Sequence, residues 1–181
     1  VLVIGAGGKS GLLCLYEARR RTGVTGRVLG LGHSASSCAR ARESGFADVI
    51  LQGDAGNALE VLRLVESAND GRPVDVTINC VNVPGTEMAS ILATRDGGTI
   101  YFFSMATSFT AAALGAEGVG RDVNMIVGNG YAKGHAAVAL NCLRESPVLR
   151  RMFEAQLQSL IEWKTKKGFQ VVEAYTDDPN V

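Results

Sequence analysis

The sequence predicts an α/β fold: a doubly wound parallel sheet of six strands in the order 3-2-1-4-5-6, with helices on both faces and a C-terminal helical extension. Three observations lead there. Short apolar runs alternate with helical stretches along most of the chain. The first of them, Val1 to Ile4, breaks directly into a glycine-rich turn. The run Val74 to Val81 is nearly continuous in apolar and β-branched residues, as a strand covered on both faces requires.

The opening stretch VLVIGAGGKSG organises the rest. A buried strand, a glycine turn and a helix over Leu12 to Arg21 present free backbone N–H groups and a positive dipole end to a phosphate. Gly5, Gly7, Gly8, Lys9, Ser10 and Gly11 are therefore the candidate pyrophosphate turn of a bound NAD or NADP, and a side chain at Gly7 is expected to occupy the phosphate position. The pattern G-x-G-x-x-G calls for glycine at position 10, where Ser10 stands, with Gly11 one place later. A triphosphate-binding P-loop is excluded by spacing, because its first glycine would fall on Val3 inside the strand.

Gly26 turns the chain into a second strand, Arg27 to Leu31, followed by Gly32, His33 and Ser34. About 20 residues past a glycine turn, an Asp or Glu ordinarily takes the adenosine ribose hydroxyls of NAD. None is present, and His33, Ser34, Ser36, Ser37, Arg40 and Arg42 stand there instead. Small donors and cations suit a ribose 2′-phosphate and tilt the reading toward NADP, although neutral residues also accept NAD. The alternative is that the serines cap a helix running through Arg42 and the arginines face water.

A third strand is expected over Ala47 to Leu51, and a helix in Asp54 to Asn69 with Leu59, Leu62 and Val65 on one face. After the fourth strand, Pro84 blocks extension, and Thr86 to Thr94 reads as helix. Asp96-Gly97-Gly98 reads as a turn, Thr99 to Phe103 as the fifth strand and Asp122 to Gly128 as the sixth. Helices follow over Ala136 to Arg144 and, after Pro147, from Val148 to Lys166, where Leu157, Leu160 and Ile161 offer an apolar face. Phe169 to Tyr175 reads as a last strand and Asp177 to Val181 as a loose end. Residues 1–145 thus form a dinucleotide-binding domain and 146–181 an appendage.

Ligands of such sheets lie outside the carboxyl ends of the strands. Val81, Asn82, Ser104, Met105 and Asn129 follow strands four, five and six, and are the candidates for the nicotinamide end. Tyr131, Lys133 and His135 are the titratable candidates for proton transfer; the competing reading is a solvated helix start. The Tyr-x-x-x-Lys pair of short-chain dehydrogenases is absent, since Tyr131 and Lys133 are only two apart.

Composition removes several classes. With 18 basic and 18 acidic residues the chain carries no nucleic-acid footprint. No apolar run reaches membrane-spanning length and no signal peptide opens the chain, which points to the cytoplasm. Cys14, Cys38, Cys80 and Cys142 are scattered, without metal-ligand spacing, and read as free thiols, so no metal is expected. Val1 lies directly on the first strand, so a preceding segment is expected.

The VLVIGAGG opening, the DV-I-C-V pattern of the fourth strand and the GG turn after it resemble, in this order, the cofactor domain of medium-chain dehydrogenases. Asn79 to His135 is similar to the branch of that superfamily that oxidises a diamino acid in lysine fermentation. The resemblance implies that a 3-amino group loses hydride to NAD(P)+ and that the imine is hydrolysed to 5-amino-3-oxohexanoate and ammonium. It further implies that a substrate domain precedes the cofactor domain, and that the sixth strand, with an apolar edge at Val123 to Val127, pairs with its twin in a homodimer. An alcohol or enone dehydrogenase-reductase and a non-catalytic dinucleotide sensor are the competing readings.

Overall fold

In the computed structural model, residues 1–128 and 132–168 are described. The predicted strand Phe169 to Tyr175, the loose end beyond it and the candidates Asn129 and Tyr131 lie outside the described residues.

Six strands, β1 (Leu2–Ile4), β2 (Leu29–Gly32), β3 (Val49–Gln52), β4 (Val74–Asn79), β5 (Thr94–Phe102) and β6 (Asn124–Val127), form one sheet in the order β3-β2-β1-β4-β5-β6. Every pairing is parallel, and Leu2 of β1 lies opposite Leu29 on one side and Thr77 on the other. The predicted order is the observed one. Parallel neighbours need long crossovers, which are the helices α1 (Lys9–Thr22), α2 (Ala35–Ser44), α3 (Ala58–Ala68), α4 (Glu87–Ala93) and α5 (Phe109–Val119).

The period of two along β1 divides the core. Val3 joins Ala6, Leu15, Ala18 and Ala41 beneath α1 and α2, whereas Leu2 and Ile4 join Leu29, Leu31, Val61, Val65, Ala89 and Ala93 beneath α3 and α4. Ile100 and Phe102 continue the second layer under α5, where Ala112 and Ala116 allow close packing.

Helix ends follow local chemistry. Ser34, Asn57 and Ser108 accept backbone N–H bonds three residues on, from Ser37, Glu60 and Ala111. Gly45 and Gly120 close α2 and α5 in the left-handed conformation. Arg19, Arg20 and Arg21 stand in the last turn of α1, where cations complement the dipole. Arg19 also pairs with Asp48, which accepts from the Val28 N–H, and so ties α1 to the start of β3.

Two further helices, α6 (His135–Glu145) and α7 (Pro147–Lys166), return across α1. Ser146 caps α7 by accepting from the Leu149 N–H, and Pro147 takes the first helical position, where its missing donor costs nothing. Leu12 of α1 shares a buried cluster with Cys142, Leu149 and Met152. Tyr16 donates to Glu145 at 3.1 Å, and Cys142 donates to Glu17. Burial and the Glu17 carboxylate push the Cys142 thiol up to about 11.

The structure corrects four expectations. α1 begins at Lys9, not Leu12, so Lys9, Ser10 and Gly11 form its first turn. On α3 the buried face is Val61 and Val65 with Leu64 against the core, while Leu59 is 58% exposed; three leucines within its first two turns made the face ambiguous by periodicity alone. β4 ends at Asn79, although Cys80 still donates to the Ile4 carbonyl. Asp96-Gly97-Gly98 is a bulge within β5 and not a turn before it: Val74 pairs with Thr94 and Val76 with Thr99, Gly97 sits at φ 70°, and Arg95 reaches Asp75 at 2.6 Å.

If α7 is integral to the fold, Leu149→Ala removes a fully buried side chain of the α1–α7 cluster and lowers stability by about 2–5 kcal/mol in a single urea transition. A separate, earlier transition would show α7 to melt independently.

Candidate functional site

The strand order reverses between β1 and β4, and the segments leaving these two strands flank a crevice at the carboxyl edge of the sheet. The glycine turn after β1 is its first wall. Gly5 sits at φ +83°, and the Cβ it lacks would lie 3.1 Å from Val81 Cγ2 on the opposite wall. The Gly5 and Ala6 N–H groups both donate to the Leu31 carbonyl, and Gly8 N–H to Gly5, which fixes the turn.

Each glycine of the turn has its own reason. A Cβ on Gly11 would strike the Gly5 carbonyl and lie 2.8 Å from the Ala6 Cα, so Gly11 lets α1 seat directly on the strand exit, the role expected of a third glycine. A Cβ on Gly7 would run into the backbone of Ser37 in α2. This corrects the expectation for that residue: the approach its missing side chain allows is to α2, not to a phosphate. Gly8 is exposed, and its Cβ would meet only the Gly5 carbonyl, at 3.4 Å. Beyond Gly8, the N–H groups of Lys9, Ser10 and Gly11 have no acceptor among the described residues, and no side chain caps the helix.

At the end of β2, His33 and Ser34 are exposed, and Ser34 both caps α2 and lies 3.0 Å from the Ser36 hydroxyl. Arg40 Nε donates to the Gly7 carbonyl at 3.0 Å, so this guanidinium braces the glycine turn from α2. Arg42 instead contacts the Ile50 carbonyl. Gly7, Gly8, Lys9, Arg40 and Glu43 form one side of a cleft of about 880 Å³ whose other side is α7, through Arg151, Met152, Gln156 and Ser159.

The second wall is held by polar contacts. Asn79, buried, donates to Thr86 Oγ1 and Ser90 Oγ at 3.0 Å each and accepts from the Val81 N–H, which shapes the turn after β4. Ser104 donates to Asn82 Oδ1 at 3.1 Å and accepts from the Ala106 N–H, joining the exits of β4 and β5. Buried Glu87 accepts from the Ser108 N–H at 2.7 Å. Met105 is 99% exposed. Lys133 and His135 lie exposed at the start of α6, and His135 Nδ1 is 2.8 Å from the Ala132 carbonyl.

Of the sequence-derived candidates, Gly5 thus faces Val81 and Asn82 is bonded to Ser104, whereas Gly7, Gly8, Lys9 and Arg40 line the cleft against α7. Asn79 and Glu87 were not among them; a lone Asn within VDVTINCV was the available signal for the first. Nothing local announced Arg151 and Gln156, which reach the cleft only through the docking of α7. Among the described residues, no group of three His, Cys, Asp or Glu is placed to hold a metal.

A six-stranded parallel sheet of this order, with a glycine turn at its switch point, defines a Rossmann-type dinucleotide-binding fold. No family model matches the chain. Solved structures share the fold: mycobacterial Rv1454c complexed with NADPH (TM-score 0.62, 18% identity, 80% of this chain and 45% of that one) and alcohol dehydrogenase TADH from Thermus sp. ATN1 (TM-score 0.59, 22%, 82% and 41%). Among curated proteins, the chain is 57% identical over 154 residues to L-erythro-3,5-diaminohexanoate dehydrogenase of Acetoanaerobium sticklandii, matching 85% of this chain and 45% of that protein. It is 52% identical over 153 residues to the enzyme of the same name from Fusobacterium nucleatum, across 84% and 44%. Sorbitol dehydrogenase of Bos taurus follows at 36% over 114 residues, 63% of this chain and 31% of that one. The chain spans less than half the length of these relatives.

Gly8→Val should cost about 1 kcal/mol or less, because its Cβ makes only an ordinary contact with the Gly5 carbonyl and the change is confined to the helix cap, whereas Gly7→Val and Gly11→Val should each lose about 3 kcal/mol or more by driving a side chain into backbone. Chemical denaturation of the three variants reads the difference.

Proposed function

We propose that this chain is the dinucleotide-binding part of an NAD(P)-dependent dehydrogenase that oxidatively deaminates L-erythro-3,5-diaminohexanoate to 5-amino-3-oxohexanoate. The observation that carries the reading is identity of 57% and 52% to two dehydrogenases of that name across most of this chain, a similarity well above that to sorbitol dehydrogenase. The site fits the cofactor. Unclaimed N–H groups at Lys9, Ser10 and Gly11, an exposed Gly8 with no side chain in the way and a positive helix end suit a pyrophosphate.

When bound, the nicotinamide ring supplies the hydride acceptor. The chain's own residues bind and orient. The first turn of α1 holds the diphosphate, with Lys9 and Arg40 of the cleft adding positive charge beside it; His33 and Ser34, exposed at the end of β2, and Arg40 are the residues proposed for the adenosine ribose. Val81, Asn82, Ser104 and Met105, with Asn129 beyond the described residues, define the nicotinamide end, where the Asn82–Ser104 bond keeps the two strand exits in register. Tyr131, Lys133 and His135 are the candidates in this chain for taking the ammonium proton. The edge strand β6, with Ile126 51% exposed, is the proposed contact with a second copy.

The reading is tested by titrating the protein with NADH and NADPH and by initial rates, in an enzyme spanning the full length of its relatives, with the diamino acid against sorbitol. Binding of at least one cofactor form and a preference for the diamino acid of about a hundredfold or more are expected, a difference of about 2.8 kcal/mol in transition-state binding. Preference for sorbitol would replace the substrate. Gly8→Val should weaken either cofactor about tenfold or more while remaining folded.

Cofactor preference turns on Arg40. Arg40→Ala should weaken NADPH more than NADH, because only NADPH brings a phosphate to the end of β2. Equal losses would assign Arg40 to bracing the Gly7 carbonyl alone.

A further inference from the structure

Two thiols 66 residues apart in sequence meet beneath the crevice. Cys14 lies on α1 three residues beyond Gly11, Cys80 stands immediately after β4, and their sulfurs are 3.8 Å apart. Both are free and only partly buried, packed with Val3, Ala6 and Leu15 against the α1 face of the sheet. The other two cysteines differ. Cys38 is buried between the Gly32 and Leu51 carbonyls, and Cys142 is buried against Glu17.

The position of the pair gives it consequence. Cys80 is pinned to β1 through the Ile4 carbonyl, and its neighbour Val81 faces Gly5 across the crevice floor. Cys14 is carried by the helix whose first turn is the glycine turn. A bond between the sulfurs would therefore couple the two walls directly.

We propose that Cys14 and Cys80 form an oxidisable dithiol site whose closure into a disulfide, driven by a peroxide-class oxidant, distorts the crevice and weakens dinucleotide binding. The binding consequence rests on the function proposed above; formation of the cross-link does not. In the first step the Cys14 thiolate attacks one peroxide oxygen, the O–O bond breaks, Cys14 becomes a sulfenic acid and hydroxide leaves. In the second, the Cys80 thiol attacks the Cys14 sulfur, the S–O bond breaks and water is released. Two thiols lose two protons and two electrons, and one peroxide becomes two waters.

The asymmetry of the pair suits these roles. The hydrogen bond donated by Cys80 lowers the Cys14 thiol below its ordinary value, and the same bond, with burial, raises Cys80. Closure draws the sulfurs from 3.8 Å to about 2.0 Å. The movement falls on the turn after β4 and the start of α1, the two segments that form the crevice.

Hydrogen peroxide, added to the protein and then removed, provides the test. Intact mass should fall by two hydrogens, titratable thiols should drop from four to two, and peptide mapping should recover a Cys14–Cys80 cross-link. NADH and NADPH affinity should fall about tenfold or more and return with dithiothreitol. Cys80→Ser should give no cross-link and should expose a Cys14 sulfenic acid to dimedone. Four remaining thiols, or a cross-link between other residues, would overturn the proposal, and a Cys14–Cys80 disulfide with unchanged affinity would overturn its effect on binding. If the reduced protein binds neither cofactor, the functional reading fails, and mass and mapping still decide the dithiol.

Discussion

Everything at the crevice depends on how closely α1 approaches the end of β1. Gly11 has no side chain, so the helix backbone rests on the Gly5 carbonyl and Ala6, and the unpaired N–H groups of its first turn come to the switch point of the sheet. A helix held off by even one methyl group would aim its dipole elsewhere. The second wall answers this geometry. Val81 faces Gly5, and Asn79 fixes Val81 by accepting its N–H while its amide is spent on Thr86 and Ser90.

Most of the architecture was legible because parallel strands buried on both faces leave long apolar runs, and Val1 to Ile4 and Val74 to Val81 are such runs. Less legible was whatever depends on rotation or on contact between distant segments. The face of α3 was misread because Leu59, Leu62 and Leu64 crowd its first two turns, and only packing against Leu29 and Leu31 selects among them. The glycine of the β5 bulge announced a bend correctly, but not that strand pairing resumes on both sides of it.

At the site, the glycine turn was readable as a set, since its composition reflects one local demand, while the duty of each glycine was not. Gly7 serves the approach of α2, and that depends on Ser37, thirty residues away. The same limit hid the meeting of Cys14 and Cys80, the bracing of Gly7 by Arg40 and the α7 side of the cleft. Each joins segments whose proximity is created by the crossovers of the sheet and leaves no mark on local spacing.

The docking of α7 bears on the order in which the molecule can be completed. Leu12, one residue past the glycine turn, is fully buried in a cluster to which α6 and α7 contribute Cys142, Leu149 and Met152. During synthesis the helix that carries the turn emerges before its cover, so a nascent sheet exposes an apolar stripe beside its ligand crevice until the chain has passed α7. Maturation of the crevice is thereby tied to the synthesis of α7, and a ribosome stalled before α7 would present that stripe to chaperones.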